Sequence, residues 1–153
     1  MMMKSSSMCL LRLIALVVLV APRRLFTLAL FVTPDMTPDI VVRKQLDALQ
    51  QNDMYSVFKH ASPYNKATTG PLERFSAMVR TPPYDTLLNH DRAEIMLIMK
   101  APNDQQWVGR IRIWSKKSKN QKLPVDFLWQ LSQVPDEGPF QDCWMVDGVF
   151  PAP

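Results

Sequence analysis

Apolar residues follow three different rhythms along the chain. They are continuous from Leu13 to Ala21, recur every third or fourth position from Val42 to Val79, and alternate with polar residues in the second half. The middle rhythm predicts helices. Thr37 followed by Pro38 is a start signal, because the proline's missing N–H falls where the first turn offers no partner. Val42, Leu46 and Leu49 then form one stripe, with Arg43, Lys44, Gln45, Asp47 and Gln50 between them. Asn52-Asp53 breaks this helix, and Asp53 is placed to cap a second, short one that buries Met54, Val57, Phe58 and Ala61. Ser62-Pro63 stops it, since a residue before proline is pushed out of the helical region. Thr69-Gly70-Pro71 opens a third helix with Leu72, Phe75, Met78 and Val79 as its stripe, and Pro82-Pro83 closes it.

The alternating half predicts strands. Glu94 to Met99 is strand-like, and Asn103-Asp104 turns the chain. Trp107, Gly109, Ile111 and Ile113 then share one face, with Val108, Arg110, Arg112 and Trp114 on the other. Lys116 to Lys122 (KKSKNQK) makes a polar tip. Val125, Phe127, Trp129 and Leu131 alternate again, Pro135 to Pro139 turns the chain, and a last strand runs from Cys143 to Phe150. Helices first and strands afterwards predict an α+β fold, its N-terminal helices packed on a curved antiparallel sheet of about four strands.

The continuous run before this domain reads as an address. Lys4, Ser5 to Ser7 and Arg12 give a cationic, hydroxyl-rich start, and Leu13 to Ala21 has the length of a signal-peptide core. Pro22, Arg23 and Arg24 end the run well short of the roughly 20 apolar residues that a membrane span needs. Residues 1–34 are therefore expected to be a targeting leader and 35–153 a single domain. The expected destination is the secretory pathway or the exterior, with a plastid or other organelle and a signal-anchored membrane form as alternatives. The membrane would be met only through the leader.

Charge fits this division. The chain carries a formal +4 and has 18 Lys+Arg against 14 Asp+Glu. Lys4, Arg12, Arg23 and Arg24 all precede the first acid, Asp35, so the remaining 14 basic residues balance the 14 acidic ones. A neutral domain with no aromatic-interleaved basic patch argues against nucleic acid as a partner. Cys9 in the leader and Cys143 in the domain leave neither an internal disulfide framework nor a thiolate metal set. No phosphate loop, dinucleotide fingerprint or metal-ligand spacing occurs, so no cofactor is expected.

The stretches VVRKQLDALQQND, FKHASPYN, TGPLERFSAMV, PPYDTLLNH and CWMVDGV resemble a domain-of-unknown-function family. That family is similar in turn to the cystatin-like cone of nuclear transport factor two and the SnoaL-type proteins. The resemblance covers about residues 40–150. It implies helices lying over a curved sheet, with a pocket at the open end, and it implies no particular reaction.

Few residues carry chemistry. His60 lies beside the stripe of its helix and is expected to be half-exposed and structural. Asp147 is expected on the same strand face as Cys143 and Met145. His90 with its neighbour Asp91 could form an oriented general base, although adjacent side chains rarely point at each other. Asp147 with His90 is a second carboxylate–imidazole pair that would serve proton transfer, in an isomerase or dehydratase. Against that stands a non-enzymatic cavity for a small apolar ligand or a protein partner. Phe75, Tyr84, Trp129 and Trp144 would line it, with Arg74 or Asn65 giving polarity at its mouth. A third reading is a homodimeric assembly module, suggested by Trp114 on the sheet face opposite Trp107.

Overall fold

The computed structural model describes residues 32–100, 105–116, 123–135 and 137–153. Most of the expected leader, the Asn103-Asp104 turn and all of the polar tip beyond Lys116 lie outside those residues. The described elements are α1 (Pro38–Gln50), α2 (Met54–Lys59), α3 (Pro63–Thr69), α4 (Leu72–Val79), a 3-10 turn (Tyr84–Leu87), and strands β1 (His90–Lys100), β2 (Gln106–Ser115), β3 (Val125–Gln133) and β4 (Trp144–Pro151). The strands form one antiparallel sheet in the order β1-β2-β3-β4. The fold is α+β, with the helices before the sheet.

The helix starts show which local signals act. Thr37 has extended backbone and Pro38 follows it, but the Thr37 hydroxyl donates to Asp39 Oδ1 at 2.6 Å and caps no backbone N–H. A carboxylate is the stronger acceptor for that proton. Asp53 does cap α2, its carboxylate accepting from Ser56 N at 3.1 Å and from Ser56 Oγ at 2.6 Å. Ser62-Pro63 is both a stop and a start. Ser62 Oγ accepts from Asn65 N at 3.1 Å, and Pro63 opens α3, an additional helix without an apolar stripe.

Alternation holds well on β2 and β3. Trp107, Ile111, Ile113, Phe127, Trp129 and Leu131 are buried beneath Val42, Leu46 and Leu49 of α1. Gly109 lies among them because the Trp107 indole covers it, and a Cβ at position 109 would fall inside that ring. On the other face, Asp126 accepts from Arg110 Nε at 2.8 Å and from Arg112 Nε and Nη2 at 2.8 and 3.0 Å. The Arg112 guanidinium, helped by Arg110, holds the Asp126 carboxyl below its ordinary range. Trp114 does lie on this face, and the Arg92 guanidinium stands 3.9 Å above its ring, so the indole is only partly open to solvent.

Three boundaries or environments differ from the sequence reading. Val32, expected in the leader, packs with Val134, Cys143 and Met145, so the compact unit begins there. His60 is buried, at 8% exposure. In β1, neither Asp91 nor Met96 has a partner in the β2 register, which passes from Ile95↔Ile111 directly to Leu97↔Arg110. Two such bulges break the alternation, and Met96, Leu97, Ile98 and Met99 remain about half exposed.

The fit of Trp107 over Gly109 makes a testable demand. Gly109→Ala should lower unfolding stability by about 1–3 kcal/mol, the usual cost of overpacking. In a double-mutant cycle, Trp107→Leu should remove most of that penalty. An independent, additive cycle in chemical denaturation would contradict the fit.

Candidate functional site

The α2–α3 connection is tied to β4 at one residue, Val146. Val146 N donates to His60 O at 2.9 Å, and Ser62 N donates to Val146 O at 2.9 Å. Asn65 Nδ2 donates to the same carbonyl at 3.1 Å. The α2–α3 connection thereby adds a one-residue parallel bridge, Ala61↔Val146, to the free edge of β4. This bridge satisfies backbone groups that an open edge would leave to solvent.

A bulge follows immediately. Leu131 pairs with Val146, and Gln130 pairs with Gly148, leaving Asp147 as the extra residue. The even alternation that put Asp147 with Cys143 and Met145 is therefore interrupted. Bulges re-aim the side chain they insert, and Asp147 takes its place on the wall of a cleft of about 380 Å³. Val146, Val149 and Phe150 form the β4 side of this cleft. Asn65, Thr68 and Thr69 of α3 face them, and Phe75, Met78 and Val79 of α4 close one end. Gln45, Leu49 and Val57 reach it from α1 and α2, with Tyr84 and Leu87 from the 3-10 turn. The cleft is predominantly apolar.

Its polar groups are mostly committed to the protein. Gln45 is 3% exposed and donates through Nε2 to Val57 O at 3.1 Å. Its Oε1 accepts from Trp129 Nε1 at 2.7 Å. The Thr68 hydroxyl donates to Tyr64 O at 3.0 Å and the Thr69 hydroxyl to Asn65 O at 2.8 Å. Asp147 differs: among the described residues, no hydrogen bond or ion pair engages its carboxylate.

Of the residues expected at a site, Phe75, Tyr84, Asn65 and Asp147 meet in the cleft. Trp129 lies fully buried behind it and acts only through Gln45. Trp144 is partly buried against the main core and is not on the cleft wall. Arg74 is exposed and runs its side chain over Gly70, outside the wall. His90 opens β1, at the opposite edge of the sheet from β4. Three strand spacings of roughly 4.8 Å lie between those edges. Its Nδ1–H donates to Leu87 O at 2.9 Å inside the core. His90 and Asp147 are not brought together.

Gln45 was missed as a site residue, although its signal is present. It lies three residues after Val42 and four before Leu49, within the apolar stripe, where an amide needs a dedicated partner. Val146 and the α3 wall carry no such signal. Among the described residues, no group of three or more His, Cys, Asp or Glu side chains converges to hold a metal ion.

His60 and Lys66 form a second, structural cluster. The His60 Nδ1–H donates to Ser56 O at 2.8 Å, which fixes the tautomer. Burial pushes the imidazole pKa down, and Lys44, Lys59 and Lys66 act in the same direction. Lys66 Nζ lies 5.6 Å from the Phe58 ring centre and 5.1 Å from that of Phe140, and burial lowers its pKa too.

Two outcomes follow from these bonds. Gln45→Leu should destabilise the fold by about 1–3 kcal/mol in urea denaturation, because the buried Trp129 Nε1–H loses its partner and the Val57 carbonyl keeps only the His60 N–H. A neutral result would show that neither group depends on it. As pH falls through the unfolded imidazole's range near 6.5, the unfolded chain takes up a proton that folded His60 resists. Stability should therefore decline on acidification below about pH 7, levelling off below the folded pKa. His60→Asn, which retains an N–H donor, should flatten that decline in denaturation curves between about pH 5 and 7; an unchanged slope would contradict the assignment.

No curated protein and no solved structure matches the chain. One family model does, a domain of unknown function over residues 33–150, which is most of the sequence. The chain that builds this cleft belongs to the domain-of-unknown-function family DUF4864.

Proposed function

We propose that the domain is a non-enzymatic binding module whose cleft between α3, α4 and β4 takes a small, largely apolar ligand. The observation that carries this reading is the cleft of about 380 Å³. That volume is within the usual range of small-molecule sites, and its wall combines aromatic and aliphatic side chains with a few convergent polar groups. The proton-transfer alternative is weaker, because Asp147 reaches the cleft while His90 remains in the core at the other sheet edge. The likeness to cystatin-like cones belongs to the same reading: helices over a four-stranded antiparallel sheet, with a recess beside the last strand, agree with it. Delivery through the secretory pathway by the leader is part of the same proposal.

Native mass spectrometry of the protein purified from its own source tests both parts. The expected spectrum shows a chain shortened at its N-terminus, with a reproducible added mass that is lost on collisional activation. A ligand-free mass under conditions that retain weak complexes would contradict the binding reading. An uncleaved N-terminus would contradict a processed leader.

A second reading, self-association, is favoured by the apolar run Met96–Met99 on the outer strand. The fitting occupant is a second copy: Glu94 and Lys100 flank the run with opposite charges, which meet when two such strands pair antiparallel about a two-fold axis. Sedimentation equilibrium should then show a dimer that Leu97→Lys converts to monomer. A monomer at every concentration would remove this reading.

A further inference from the structure

Resting on the reading of the cleft as a ligand site, we infer that its ligand is an amphipathic amine. Such a ligand has an apolar body filling the recess and a positively charged ammonium group held by Asp147. Asp147 is the one charged residue on the described cleft wall. Among the described residues it has no ion-pair or hydrogen-bond partner, although the wall around it is apolar. A neutral apolar body entering the recess would strip water from the carboxylate and leave its charge unpaired, which is strongly unfavourable in a low-dielectric setting. An anionic body would add repulsion. An ammonium group removes both penalties and supplies a charge-assisted hydrogen bond.

The neighbouring polar groups have the same bias. Thr68 and Thr69 have each given their single hydroxyl proton to a carbonyl one turn back, so they offer only acceptor lone pairs. The Asn65 amide nitrogen donates to Val146 O, and both ends of Gln45 are occupied. A group bearing several N–H donors meets the threonine oxygens and Asp147 as acceptors here, beside the Tyr64 and Tyr84 hydroxyls, which can accept as well as donate. Phe75 and Tyr84 on the same wall are aromatic residues of the kind that attract a cation. The β4 bulge provides the geometry, because a regular ladder would have kept position 147 paired with β3.

The test uses three probes of equal length, n-octylamine, n-octanol and n-octanoate, titrated into the full chain at neutral pH. Affinity is read by calorimetry and location by methyl NMR. Octylamine should bind about tenfold or more tightly than octanol, octanoate should not bind, and the shifted methyls should include Val146 and Val149. Asp147→Asn should bring octylamine and octanol to within about threefold of each other. Asp147→Ser serves as a second variant should the first fold poorly. Octanol binding as tightly as octylamine at those methyls, or an amine preference that survives both substitutions, would overturn the ammonium assignment and leave the cleft a ligand site. If none of the three probes moves the Val146 and Val149 methyls, the cleft reading fails and the amine assignment with it.

Discussion

Three hydrogen bonds on one residue, Val146, fasten the α2–α3 connection to the last strand of the sheet. The backbone of Val146 is bonded on both sides by the α2–α3 connection, through His60 O and Ser62 N, and Asn65 adds a side-chain bond to its carbonyl. Each bond contributes only about 1 kcal/mol net. Their consequence is positional. They fix where α3 starts, and the chain from Ser62 must then pass over β4 before α4 returns to the core. The recess lies between these supports. Because Asp147 is the very next residue, the tie and the bulge share a place, and Asp147 stands on the wall of the space they create.

Beneath that recess the core is filled and polar-satisfied. Trp107 lies over Gly109, Trp129 is closed off by Gln45, and among the described residues every fully buried side-chain nitrogen or oxygen has a partner. The outer sheet face carries a two-arginine clamp on Asp126 and a guanidinium over Trp114. A saturated core contrasts with a wall that has one unengaged carboxylate among the described residues. That contrast is what supports the proposed binding role of the cleft.

Much of the fold was legible because its signals are local. The α1 stripe, the Asp53 cap and the alternation of β2 and β3 depend on neighbours within a few residues, and each appears as read. α3 was not legible, because it has no apolar period and its start signal, Ser62-Pro63, also ends the preceding helix. The bulge at Asp147 could not be read either, since it depends on pairing with Gln130 and Leu131 on another strand. That single inserted residue changes the face of everything around it. Phe75 and Tyr84 lie on the cleft wall, whereas Trp129 and Trp144, whose density in the strands fits either a filled core or a cavity lining, fill or flank the core.

Xenon uptake followed by methyl NMR tests most directly whether the Val146 tie keeps an apolar recess open. Apolar cavities accept xenon without any specific chemistry. Under xenon pressure the methyls of Leu49, Val57, Val146 and Val149 should shift in a saturable way, while those of Ile111 and Leu131 in the filled core stay in place. Equal, non-saturating shifts across both groups, or none at the cleft, would contradict the account.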